Sequence, residues 1–204
     1  MKLLTQNSKL KATSKYMGMR VFNFGIPAHK SDTGKVTCPF ADTTNPDSPC
    51  FGCYAMKGAY IWSNVRPAFE RRLEATRQDD FVDVMTTEIK AKRADFIRVH
   101  DSGDYYSPKY LKKWLKIAEK CPEVKFYSYT KSFPLFDGVE LPDNYCIIFS
   151  EGSKDTRDIT SHRHAKVFSS VEALEAAGYA DASSNDLLAT KWYNQTNKIG
   201  LVFH

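Results

Sequence analysis

ADFIRVHDSGDYYSPKYLKKWLKIAEK, residues 94–120, decides the fold. Its first half reads as a strand running into a polar turn, His100-Asp101-Ser102-Gly103-Asp104. From Pro108 the period changes: Leu111, Trp114, Leu115 and Ala118 share one face of a helix, with proline in the first turn, where its missing N–H is no loss. Strand, tight turn and amphipathic helix make a β-turn-α unit, and such a crossover is what a parallel neighbour requires.

Further strands are expected on either side. Downstream lie EVKFYSYTKS (123–132), NYCIIFSEGS (144–153) and AKVFSS (165–170), the last followed by a helix over VEALEAAG with Ser169 and Glu172 as a capping box and Gly178 as its stop. Upstream, MRVFNFGIPA (19–28) is nearly continuous in apolar character, as in a strand buried on both faces. Between it and residue 94, the stretch 63–93 predicts two helices bent near Gln78: Phe69 and Leu73 stand four apart, and Phe81, Val84, Met85 and Ile89 form a stripe after the caps Asp79 and Asp80. KIGLVFH (198–204) predicts a sixth strand ending on the last residue. The fold class is therefore α/β, a mostly parallel sheet forming a partial or distorted barrel. Residues 1–16 read as a polar basic arm and 17–204 as a single α/β domain with a cysteine loop at 38–53, a size that one core can serve.

Composition narrows the functional classes. The 29 basic and 24 acidic residues give a net charge of +5 spread along the chain, which suits a nucleic-acid or other anionic partner and, more commonly, an ordinary solvated surface. The lysine-bearing start has no sustained apolar core, so neither a signal peptide nor a membrane anchor is expected, and the expected location is the cytoplasm. Five cysteines are an odd number, and a chain of 204 residues in a reducing compartment needs no disulfides for its core. That turns attention to metal or chemistry.

In parallel α/β folds functional loops gather at the carboxyl ends of the strands. Here those ends carry the cysteine loop, the turn His100–Asp104, Thr130-Lys131, Ser150-Glu151 and, after the last strand, His204. Cys50 and Cys53 form a Cys-x-x-Cys pair, with Cys38 twelve residues upstream in a loop able to fold back. Three thiolates would leave a [4Fe-4S] cluster one open iron, or would need a fourth ligand to close a zinc tetrahedron. Metal-free thiols, or a thioredoxin-like pair, are the other readings of the spacing. Cys121 and Cys146 sit in apolar surroundings and read as core.

Within the second turn, glycine lets the backbone approach a ligand, and the carboxylates suit an ammonium group or a proton donor; an ordinary Asp/Gly turn has the same spacing. Tyr105 and Tyr106 could stack on a base or cover the core edge. Lys131 could meet an anionic ligand, and His162-Arg163-His164 suggests either a metal or a surface anion site.

With these motifs in hand, the chain resembles a bacteriophage and prophage family known as the gene product 88 domain. The resemblance rests on CPFA, CFGCYAMKGAY, IRVHDSGDYYS, VKFYSYTKS, LPDNYCIIFSEGSK and KIGLVFH, and covers nearly everything from about residue 17. More distantly, a cysteine loop after the first strand and an acidic, small-residue turn after the second are similar to the radical S-adenosylmethionine barrel. That resemblance implies Cys38, Cys50 and Cys53 as ligands of a [4Fe-4S] cluster. It implies Ser102-Gly103-Asp104 at the amino group of S-adenosylmethionine, Lys131 or Glu151 at its polar remainder, and Tyr54 as the aromatic after the last cysteine. This chain departs from the pattern: eleven residues separate Cys38 from Cys50 where three are usual, and Gly103 stands alone where two glycines are usual. The expected function is that of a phage iron-sulfur protein, possible as a radical enzyme on an unknown substrate. The alternative is a zinc-stabilised, non-catalytic module that binds nucleic acid or a host protein.

Overall fold

The computed structural model describes residues 2–202; Met1, Phe203 and His204 lie outside the described residues, and with them the end of the last expected strand. In chain order the elements are α1 (Ser8–Met17), β1 (Val21–Phe24), α2 (Arg66–Arg77), α3 (Phe81–Lys92), β2 (Phe96–Val99), α4 (Pro108–Lys120), β3 (Lys125–Thr130), β4 (Tyr145–Ser150), β5 (His164–Phe168), α5 (Val171–Ala176), β6 (Ala180–Asp181) and β7 (Lys198–Val202). The strands form one sheet in the order β1-β2-β3-β4-β5-β7-β6. Every pairing is parallel. Chain order and spatial order coincide through β5, so the sheet is wound in one direction, as in a barrel, but it does not close among the described residues. The expected α/β class and partial barrel agree with this. The pairing is thin between β4 and β5, where Phe149 with His164 and Ser150 with Ala165 are in register, and equally between β6 and β7.

Near-continuous apolar strands follow from burial on both faces. On one face Phe24, Ile97, Val99, Phe126 and Tyr145 pack under α3 and α4, which contribute Phe81, Met85, Ile89, Trp114 and Ile117. Trp114 is wholly buried, its ring edge-on to Phe24 at 5.1 Å and to Phe81 at 5.8 Å. On the other face Val21, Phe96, Tyr127, Cys146, Ile148 and Ile199 pack against Leu10 of α1 and against Leu187 and Ala189 of a 3-10 turn at Asp186–Ala189. Full burial of side chains of this kind contributes about 1.5–3 kcal/mol each. Cys121 and Cys146 lie in these two cores, as their surroundings suggested.

The start of the chain differs from expectation. Residues read as a polar arm are built into the domain: Leu3, Leu4 and Leu10 are fully buried. The carboxylate of Glu88 on α3 accepts the backbone N–H groups of Leu3 and Leu4 at 2.7 and 3.0 Å. Asn7 caps α1 by accepting the Leu10 N–H.

The helix signals fare better. The chain breaks at Gln78, between α2 and α3, although Asp80 makes no side-chain cap bond to α3. α5 is capped by Ser170, whose hydroxyl accepts the Ala173 N–H at 3.2 Å, and not by Ser169 as the capping-box reading placed it. α4 begins as its sequence predicts, with Ser107 accepting the Tyr110 N–H at 3.2 Å. Ser107→Ala is expected to cost about 1 kcal/mol, read as a lowered urea midpoint with an unchanged slope.

Candidate functional site

The cysteine loop leaves β1 and is stitched across the carboxyl ends of the neighbouring strands. At the end of β2, Ile26 N–H donates to the Ser102 carbonyl at 3.0 Å and Asp104 N–H to the Thr37 carbonyl at 3.1 Å. At the end of β4, Asp42 N–H donates to the Gly152 carbonyl at 2.8 Å, Lys154 N–H donates to the Phe40 carbonyl at 2.7 Å, and Ala41 bridges to Ser153. Local turns hold the loop between these ties: Asp42 accepts the N–H groups of Thr44 and Asn45, and the Ser48 hydroxyl accepts the Cys50 N–H. The convergence expected of a parallel sheet is thus present for the loops after β1, β2, β3 and β4.

Cys38, Cys50 and Cys53 stand in one neighbourhood. Burial pushes the Cys38 thiol up to about 12, with the nearby Asp104 carboxylate and the other two cysteines adding to the rise. Its sulfur accepts the backbone N–H of His29 at 3.3 Å, which works the other way by favouring thiolate. Burial also raises Cys50, and the ammonium of Lys131 opposes that rise. The thiols are not drawn into a ligating cluster: among the described residues, no three His, Cys, Asp or Glu side chains stand close enough together to hold a metal ion. The donor set fits a cluster or zinc, while their spacing requires the loop to draw in around it.

The turn after β2 is strained and buried. His100 has φ of 68°, an uncommon conformation for a residue with a side chain. Its ring pairs through Nε2 with the Tyr110 hydroxyl at 2.8 Å, and burial pushes its pKa down to about 3, so it is neutral at physiological pH. Asp104 is fully engaged: one oxygen accepts from Tyr105 N–H and the Thr130 hydroxyl, each at 2.7 Å, and the other from Lys131 N–H at 2.8 Å. Asp101 is different. Its Oδ2 accepts from the Asn23 amide at 2.6 Å, while its buried Oδ1 has no partner. Burial raises the Asp101 pKa, opposed by the nearby Arg98, by Asn23 and by Arg72. The carboxylate oxygen of the turn left without a hydrogen-bond partner therefore belongs to Asp101, buried against Gly25, and Asp104 serves to tie β2 to β3.

The remaining residues divide similarly. Lys131 reaches the Ser150 hydroxyl at 3.1 Å, so the ends of β3 and β4 meet over the loop. Glu151 accepts the Val167 N–H and is spent on holding β5. Ser102 and Gly103 are in the turn itself, with Gly103 at φ 79°. Tyr54 lays its hydroxyl on the Asp101 carbonyl, and its ring meets Tyr60, which stacks on Phe69. His162 and His164 turn to different partners, His162 against Phe149 and His164 to the Tyr179 hydroxyl at 2.9 Å. His204 lies outside the described residues.

Two residues with a part in this neighbourhood carried a signal in the sequence. Asn23 and Arg98 are the polar members of the apolar strand runs VFNF and FIRV, and a polar group in a strand buried on both faces needs a partner. Asn23 finds Asp101; Arg98 finds Asp186.

Fold and site together define an open, all-parallel α/β protein with three thiols gathered on its carboxyl rim. The sequence profile described as Gene product 88 matches residues 1–199, and the chain belongs to that family. It is 29% identical over 121 residues to the Gene 88 protein of Mycobacterium phage L5, covering 52% of this chain and 51% of that protein. It is 28% identical over 101 residues to the Gene 88 protein of Mycobacterium phage D29, covering 42% of each. The chain spans about half the length of the curated relatives it matches. A bacteriophage or prophage origin is supported by these matches. No solved structure matches the chain, so the likeness to the radical S-adenosylmethionine barrel gains no support there. Among the described residues no helix is long and apolar enough to cross a membrane.

Proposed function

We propose that this protein carries a [4Fe-4S] cluster on Cys38, Cys50 and Cys53 and works as an iron-sulfur protein in the host cytoplasm. The observation that carries the reading is the gathering of these three thiols, with Lys131 beside them, at the carboxyl rim, while the other two cysteines are spent in the cores. A cluster held by three cysteines supplies single electrons and leaves one iron for a small polar ligand, S-adenosylmethionine being the ligand the barrel likeness suggests.

Each neighbouring residue has a task in this reading. His29 N–H, already on the Cys38 sulfur, favours its thiolate, and the Lys131 ammonium offsets negative charge near Cys50. Ser102 and Gly103 set the turn against the start of the cysteine loop at Ile26, and Asp104 holds the turn in shape through Thr130 and Lys131. Glu151 contributes by fixing β5.

The test is iron, acid-labile sulfide and zinc per chain after purification without oxygen, with a visible spectrum of the same sample. About four irons and four sulfides are expected in a brown protein, as a cubane requires. Cys53→Ser is expected to lose iron and colour, and Cys121→Ser to keep both. Retained iron in Cys53→Ser removes that ligand from the site. Zinc in place of iron would make the site structural and the protein a binding module.

A further inference from the structure

Five of the ten large hydrophobic side chains exposed among the described residues fall within twelve positions: Phe51, Tyr54, Met56, Ile61 and Trp62. All five follow or interleave the last cysteines, on a segment folded as two successive 3-10 turns, Tyr54–Met56 and Gly58–Ile61. Phe51 is 57% exposed and Trp62 59%, although ample core is available to bury such rings elsewhere. Exposed apolar groups gathered in this way mark an interaction surface.

The charge around this apron selects among occupants. No acidic residue occurs from Ser48 to Phe69, and the exposed Lys57 places its ammonium over Gly52, 3.8 Å from where a Cβ would stand. The loop 29–36 packs alongside, since Arg66 donates to the Lys30 carbonyl and Asp32 N–H donates to Glu70. Across residues 29–36 and 48–72 six basic side chains face two acidic ones, and the intervening 37–47 adds Asp42 and Asp47. Of these acids, Asp32 and Glu70 are paired with Arg66, which leaves Lys30, Lys35, Lys57 and Arg71 exposed. A protein partner would be served by the apolar groups alone. Aromatic faces beside cations, with no acid from Ser48 to Phe69, match a strand of unpaired bases on a phosphate backbone.

We infer that the apron from Phe51 to Trp62 binds single-stranded nucleic acid, with Phe51, Tyr54 and Trp62 as stacking platforms and Lys57, Lys30 and Arg71 following the phosphates. The inference goes beyond the cluster reading and does not require it: the aromatic and basic side chains are in place on the loop irrespective of what the thiols hold.

Fluorescence anisotropy of the full chain with a labelled oligothymidylate of about 16 nucleotides, the upper end of a single-module site, tests it. Binding is expected at low salt, stronger than to a duplex of the same length. Trp62→Ala is expected to weaken it roughly tenfold or more, as loss of one stacked base does. Lys57→Ala should flatten the plot of log affinity against log salt by about 0.7, the share of one phosphate contact on a single strand. Tyr16→Ala, 81% exposed on α1, is the control and should change neither. Circular dichroism and iron content are expected to be unaltered in Trp62→Ala, which separates failure here from failure of the cluster assignment. No binding by the wild type up to about 100 µM, the weak end of non-specific association, overturns the inference. So does equal affinity for duplex, or an affinity untouched by Trp62→Ala. Concentration-dependent dimerisation abolished by Trp62→Ala, without oligonucleotide binding, would assign the apron to a second copy of the chain instead.

Discussion

Asp186→Ala is expected to lower stability at neutral pH by about 3–5 kcal/mol, the loss seen when one member of a buried ion pair is removed and the other is left without compensation. Asp186 is fully buried, and Arg98 is nearly so. One terminal nitrogen of Arg98 lies 3.2 and 3.1 Å from the two Asp186 oxygens. Lys9 reaches the carboxylate at 2.9 Å, and the Tyr127 hydroxyl donates to it at 2.6 Å. One carboxylate thus joins α1, β2 and β3 to the turn that carries it, on the face of the sheet opposite α3 and α4. Removing it leaves the guanidinium over the Tyr129 ring without its paired carboxylate, with Asp101 as the nearby acid that remains. The double variant Arg98→Met with Asp186→Leu removes both charges and should recover most of the loss, because well-packed apolar replacements of buried pairs are often neutral or better. A urea midpoint for Asp186→Ala near that of the wild type would show that the charges are solvated in solution and that this face is more open than the structure has it.

The same group predicts an acid limb. Burial acts to raise the Asp186 pKa, but Arg98, Lys9 and Tyr127 outweigh it and bring it from 3.8 to about 2. A carboxylate depressed in the folded state stabilises fully above its unfolded value. Its contribution is lost as pH falls from about 4 through about 2, and amounts to roughly 2 kcal/mol. That is less than the effect of Asp186→Ala, because a protonated carboxyl still accepts from Tyr127. Stability of the wild type measured between these pH values should fall more steeply than that of the Arg98→Met, Asp186→Leu variant.

What could be read from the sequence depended on whether a residue's partner was local. The unit from β2 to α4 was legible because proline, the polar turn and the helical period lie within one continuous stretch, and the three-cysteine loop because its spacing is itself local. β6 was not, since two residues show no period. α1 was hidden by Lys9, Lys11 and Lys15: only Leu10 and Thr13 of the helix are buried, too few for an apolar stripe. In the site, Asp101 and Asp104 stand three apart in one turn, and nothing in the sequence says which is left with an unpartnered oxygen. That is decided by Thr130 and Lys131 arriving from β3 to occupy Asp104. Asp186 gave no signal at all, because its three partners come from distant segments of the chain.

Gly103→Ala should be more damaging than Gly138→Ala or Gly25→Ala, because it incurs two separate costs that those two positions isolate. At Gly138, φ is 69° and an added Cβ would meet nothing within 4 Å, so Gly138→Ala carries only the left-handed backbone cost of about 1–2 kcal/mol. At Gly25 the conformation is not left-handed, but a Cβ would stand 2.2 Å from Asp101 Oδ1 and 2.7 Å from Phe69 Cε1, so Gly25→Ala carries a steric cost of about 1–3 kcal/mol. At Gly103 both apply: φ is 79°, and a Cβ would stand 2.3 Å from Ile26 Cγ1 and 3.1 Å from the Ile26 carbonyl oxygen, a backbone atom that cannot swing away. The sum is about 2–5 kcal/mol, enough to unfold a domain of marginal stability. Urea midpoints of the three variants should fall in the order Gly138→Ala, Gly25→Ala, Gly103→Ala, from mildest to most severe. The contact with Ile26 also gives the substitution a functional reading, since Ile26 begins the cysteine loop and its N–H is held by the Ser102 carbonyl. If the proposed cluster is present, driving the turn and the loop apart should lower iron content in whatever Gly103→Ala folds, while Gly138→Ala keeps it. Equal midpoints for Gly103→Ala and Gly138→Ala would mean that the turn does not press on Ile26, and that the second turn and the cysteine loop are held together by the backbone bonds alone.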